Sequence, residues 1–369
     1  MSLLAAVRRV PTALKAAPAA IRRTPAFLKR QLAPRALYLR GLEFAAGPTD
    51  GSGAALFRIG FGLLTASVAL WTALNAVRWF SNTGVMVARG NGLKHSLYRF
   101  APDAAWMPHL HVALLTLGAV MLLVGLRPRI GAFIVFVAHT SLQHRTSQIL
   151  NSGDRLFAIL ALLAVTMPLG HRVSIDAWWR ARRGKKAPPA SMWGQRLVQI
   201  QIAYVYGSAV SSKLFNARWL KGKALHDVLA SPVFAEWPAW IDFWPIIYAM
   251  TWGSLVFEMG FPVFVWFRKL RPWVLLAGVA FHVGIDLLMI IPMFSWIMIV
   301  SYAAFLDDDM ARRFLPKLKT KEAPETLRSA VDAQATVVDA TDVADVAAPN
   351  VAAPNVAAEP SFPSSSDVR

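Results

Sequence analysis

Residues 204–225 read YVYGSAVSSKLFNARWLKGKAL, a run of apolar and small residues that stops at Lys213. A lysine at the end of a membrane crossing either stretches its head out to water or is held back for chemistry. A helix starting near Arg196 climbs about 26 Å by Lys213, at about 1.5 Å per residue, which brings it to the edge of the hydrocarbon. On position alone, the water-seeking form is the simpler outcome. The preceding turn, GSAVSS, favours the other, because small side chains let neighbouring helices close around the lysine stem. A desolvated amine gives up its proton more readily, and a neutral amine is what a general base needs.

Other ionisable groups at membrane depth are few, and each is costly unless paired or hydrated. Glu258 lies in an apolar run with no basic residue within helical reach. It needs a tether on another helix, for which Arg58 and Arg155 are candidates, or it serves an active site. His282 and Asp286 stand four apart on one helical face. They form either a carboxylate-oriented base or a polar pair that glues helices. Asp154, following Asn151 and Gly153, suits a helix N-cap as well as chemistry. Tyr204 and Tyr206 add hydrogen-bonding groups to the helix that carries Lys213. His139 and His144 are five apart, a poor spacing for one face, so no metal site is expected. The chain has no cysteine, which removes disulfides and thiolate ligands.

The elements that must position these groups are membrane helices. Of 369 residues 56% are hydrophobic and only 16% charged, too little charge to cover a soluble domain of this length. The apolar stretches are continuous, which argues for helices and against a barrel. Eight crossings are expected, near 54–78, 104–126, 130–149, 155–170, 196–213, 244–267, 272–291 and 293–306. Basic residues cluster after the second, fourth, sixth and eighth, so both ends fall on the cytoplasmic side. The net charge of +18 is thus topological and suits an anionic lipid surface rather than nucleic acid. Residues 217–230 are expected to form one interfacial or re-entrant helix at the outer surface, with Trp237, Trp240 and Trp244 in an aromatic belt. Residues 1–50 read as a basic cytoplasmic arm of a bacterial inner-membrane protein, an organelle transit peptide being the other possibility. Residues 51–310 form the transmembrane domain. Residues 311–369, with the repeat VAAPNVAAPN, read as a disordered low-complexity tail.

Four blocks carry a resemblance: FRIGFG, NSGDRLFAILALLAVTMPLGHRVSID, QIAYVYGSAVSSKLFNARWLKGKAL and FHVGIDLLMIIPMFSWIMIVSYAAFL. Over roughly residues 50–310 the chain resembles the horizontally transferred transmembrane (HTTM) domain, the membrane portion of vitamin K-dependent gamma-carboxylases. The resemblance implies that Lys213 deprotonates vitamin K hydroquinone or another quinol. Reaction with O2 would then give a strong base that removes a glutamate proton, and CO2 would add. Asp154 and His282 are the further catalytic candidates, and Tyr204, Tyr206, Glu258, Asn151 and Trp219 the candidate residues of a quinol pocket. Where the carboxylases carry a histidine before the fourth crossing, this chain has Gly153 next to Asp154. No counterpart of the carboxylases' propeptide-binding domain is expected in residues 311–369, so a peptide or protein substrate would need a partner protein to present it. Two other functions compete. One is a non-catalytic accessory in peptide maturation or export, of the sporulation-delaying type. The other is a small-molecule transporter using Glu258, His282 and Asp286.

Overall fold

The structure is a computed structural model that describes residues 34–86, 90–231 and 243–316. Among them there are helices and no strands. The basic residues before 34, the tail from 317, and Trp237 and Trp240 of the expected belt lie outside the described residues.

The main helices are α1 (Pro34–Ala46), α2 (Ser52–Leu74), α3 (Ala76–Phe80), α4 (Met107–Val124), α5 (Pro128–Arg145), α6 (Ser152–Ala164) and α7 (Ile175–Arg182). There follow α8 (Trp193–Leu214), α9 (Ala217–Leu220), α10 (Ala224–Leu229), α11 (Trp244–Phe264), α12 (Arg271–Leu288), α13 (Phe294–Ser301) and α14 (Asp308–Phe314). Each of the eight expected crossings falls on one of these. Four of them, α2, α4, α11 and α12, are long and apolar enough to cross a membrane by length and composition. The others fall short for visible reasons. Helix α5 carries His139, Gln143, His144 and Arg145, α6 spans only 13 residues, α8 carries Arg196, three glutamines and Lys213, and α13 is brief.

Glycine permits a close helix contact between α4 and α5. A Cβ on Gly118 of α4 would lie 2.5 Å from Val135 Cγ2, and one on Gly131 of α5 would lie 2.8 Å from Met121 Cβ. Two glycines facing each other therefore let α4 and α5 approach nearly backbone to backbone. Beside them Phe57, Phe61 and Phe157 stack in the core. Arg58 is fully buried, and its guanidinium donates to the carbonyls of Leu122, Leu123 and Val173 at 2.5, 3.1 and 2.5 Å. It satisfies the orphan carbonyls at the end of α4. Arg58 is thus committed, and the expected tether between it and Glu258 is not made.

The basic clusters gather at one end of the bundle. Asp50, just before α2, takes hydrogen bonds from Arg172 and Arg312, both at 2.7 Å. Thr49 donates to Asp308 at 2.9 Å, Arg271 to Asp307 at 2.5 Å, and the Arg127 amide to Asp176 at 3.0 Å. Loops after the second, fourth, sixth and eighth expected crossings thereby meet, as the charge pattern requires.

The expected single helix over 217–230 is two short ones. Gly222 breaks it in a left-handed conformation (φ +72°), and a Cβ there would lie 2.6 Å from the Tyr248 ring. The bend lets the segment hug α11, with Trp252 donating to the Leu220 carbonyl at 3.2 Å.

Candidate functional site

Lys213 is the last member of an inward stripe. On α8 the residues Gln195, Gln199, Ile202, Tyr206 and Val210 are buried, at spacings of three and four, and Lys213 comes next. Its side chain is 18% exposed. The ammonium donates to both oxygens of Glu258, at 2.7 and 2.5 Å, and the Glu258 side chain is only 8% exposed. Trp219 closes the other side, with Nζ 4.4 Å from the ring centroid. The local sequence arranges this. The Asn216 amide donates to the Lys213 carbonyl, and the Asn216 side chain caps α9 through the Arg218 amide at 2.9 Å. That turn folds Trp219 back over the lysine. The partner of Glu258 is therefore Lys213 and neither Arg58 nor Arg155.

Further along the same stripe, Tyr206 shares its hydroxyl with His282 Nε2 at 2.7 Å and with the hydroxyl of Tyr302. All three side chains are buried, and the ring of Phe261 packs beside Tyr206 and Tyr302. The expected His282–Asp286 pair is absent. The imidazole turns toward Tyr206, its Nδ1 has no hydrogen-bond partner, and Asp286 is exposed one turn on. Tyr302 was no candidate from sequence. Its only sequence trace is Gly278, where a Cβ would sit 2.5 Å from the Tyr302 hydroxyl.

Asp154 and Asn151 lie elsewhere. Together they form a capping box at the start of α6: Asn151 accepts from the Gly153 and Asp154 amides, and Asp154 accepts from the Asn151 amide at 2.9 Å. Both border a cavity of about 410 Å³ between α2, α5, α6, α12 and α13. His139 and Asp286 also face it. Lys213, Glu258, Trp219, Tyr206 and His282 do not line this cavity. Tyr204 is 67% exposed and lines a shallow groove between α6 and α8 with Asn151 and Arg155.

The residues expected around one quinol thus divide among four places. Lys213, Glu258 and Trp219 form a charge pair under a ring. Tyr206 and His282 join Tyr302 in a buried hydrogen-bonded chain. Asn151 and Asp154 edge the cavity, and Tyr204 faces outward. Gly153 packs against Phe294, whose Cα a Cβ would approach to 3.2 Å, so a larger side chain there would need the chain to shift.

No solved structure matches this chain. A family model described as the HTTM domain matches residues 47–310, a stretch that holds every helix from α2 to the start of α14 and each side chain of the candidate site. With well over half of its length inside that match and apolar helices of membrane-crossing length, the protein belongs to the HTTM-domain family of integral membrane proteins.

Proposed function

We propose that this protein is a membrane enzyme with gamma-carboxylase-like chemistry, in which the Lys213–Glu258 pair accepts the proton of a reduced quinone. One observation carries the reading: the lysine amine is turned inward onto a carboxylate and an indole instead of outward to water. A proton passed from Nζ to Glu258 leaves an amine able to take another.

The donor set suits a planar hydroxylated ring. Trp219 offers an aromatic face and Lys213 the acceptor, at a side chain left partly exposed. Lys213, Glu258 and Trp219 would hold the ring, while Asp154 and His282, engaged elsewhere, take no part in this proton step. A bound quinol would supply the reducing equivalents, with O2 and CO2 as co-substrates and a peptide presented by a partner protein as acceptor. In a bacterial inner membrane with the basic end of the bundle cytoplasmic, the pair would face the extracytoplasmic boundary.

A second reading has its own support. The ammonium is bonded to both carboxylate oxygens, the geometry of a clamp between α8 and α11. A protein so clamped would serve as a non-catalytic accessory in peptide maturation or export. Lys213→Arg separates the two, because arginine keeps the ion pair but cannot lose its proton. Quinol-dependent incorporation of labelled CO2 into a glutamate peptide, measured on protein in lipid nanodiscs, should fall about 100-fold or more in both Lys213→Ala and Lys213→Arg. Undiminished turnover in the arginine variant would exclude the base.

A further inference from the structure

The cavity bordered by Asp154 and Asp286 is unused by the proton step, and its chemistry is distinct. At about 410 Å³ it is the size of a small-molecule site. Trp71, Phe80 and Trp296 supply aromatic wall. Two carboxylates line it and no lysine or arginine does, in a chain whose net charge is +18. Its hydroxyl and amide donors are largely spoken for. Ser67, Thr72 and Thr146 each donate to a carbonyl one turn back, and Gln143 donates to the Asp154 carbonyl at 2.5 Å. The polarity left over is mainly that of acceptors.

His139 points the same way by an independent observation. It is 5% exposed, lines the cavity, and neither ring nitrogen has a hydrogen-bond partner. Its Nε2 stands 3.8 Å from Asp154 Oδ1, too far for a hydrogen bond. Buried polar groups are rarely left so, and an N–H donor from a ligand would meet both atoms. An anion would be repelled by the two carboxylates. No group of three or more histidine and acidic side chains able to hold a metal ion occurs among the described residues. Carboxylates set among aromatic rings are instead the recognition chemistry of an ammonium group.

We propose that this cavity binds an organic cation with an apolar body, an arylalkylamine, its ammonium held by Asp154 and Asp286 and its ring among Trp71, Phe80 and Trp296. The site shares no residue with the Lys213 pair, so the two proposals stand or fall separately. Naphthylethylamine and its neutral counterpart naphthylethanol would be titrated calorimetrically into the full chain in detergent, with protein-free micelles subtracted. The amine should bind about tenfold tighter or better. Asp286→Asn, which leaves the capping box intact, should erase that preference, and Lys213→Ala should leave it unchanged. Equal affinity for amine and alcohol in the unmodified protein would overturn the assignment. So would a preference that survives Asp286→Asn and His139→Leu in variants that keep the Tm of the unmodified protein.

Discussion

The inward turn of Lys213 has an energetic consequence that is separate from catalysis. Breaking a buried ion pair by removing one partner strands the other, which costs about 3–5 kcal/mol, whereas replacing both with apolar residues is often near neutral. Lys213→Met and Glu258→Leu should each destabilise the protein by about that much, and the double variant by far less than their sum. Thermal unfolding in one detergent measures this, and additive losses would mean that the two side chains do not act as a pair. What sequence could say about these residues was uneven. Glu258 had to find a partner because the physics of an isolated carboxylate demands one, but which cation it finds depends on how α8 and α11 cross. Asp154 was only partly legible: its type suits an N-cap, but Asn151 takes that place and Asp154 is the third helical residue that answers it. Tyr302 was invisible, since one hydroxyl in an apolar run carries no periodic signal.

Among the helices, glycine acts where polar chains must close. Gly278 on α12 leaves the space in which the Tyr302 hydroxyl reaches Tyr206. Gly278→Ala should displace that ring and cost about 1–3 kcal/mol, part overpacking and part lost hydrogen bonding. Tyr302→Phe, which removes only the hydroxyl, should cost about 1 kcal/mol. A Gly278→Ala effect as small as that of Tyr302→Phe would mean that α12 yields readily and that the fit is not specific. The eight helices were visible as apolar runs, yet only four pass on length and composition. The remainder are short, as α6 and α13 are, or carry polar side chains, as α5 and α8 do, and this weakens the membrane signal along them. The broken 217–230 segment shows a related limit. Gly222 is plain in the sequence, but Tyr248 and Trp252, which make the bend necessary, are distant in the chain.

At the scale of the molecule, two neighbouring carboxyls at the basic end of the bundle respond in opposite directions to pH. Burial opposes the charged form of Asp50, but hydrogen bonds from its neighbours and the charge of Arg172 outweigh it and hold that carboxyl below its usual range. A depressed acid stabilises the fold fully above its unfolded value, about pH 4, and loses that contribution as pH falls through the lower folded value. Asp308 goes the other way, pushed up mainly by burial, so its contribution is present in acid and lost as pH rises through its folded value. Acidification below about pH 4 should therefore loosen Asp50 from Arg172 and Arg312, with Asp308 offsetting part of the loss. The fall in Tm over that interval should flatten in Asp50→Asn, and an unchanged slope would remove Asp50 from the account.

The buried guanidinium of Arg58 also orders events in time. Two of the carbonyls it needs belong to residues more than sixty positions later, and the third to Val173. While the chain is being made, the first crossing enters the bilayer carrying a permanent charge whose acceptors have not yet left the ribosome. Until Val173 emerges, that helix can hold only a provisional berth near the interface, and its final seating must await the fourth hydrophobic segment.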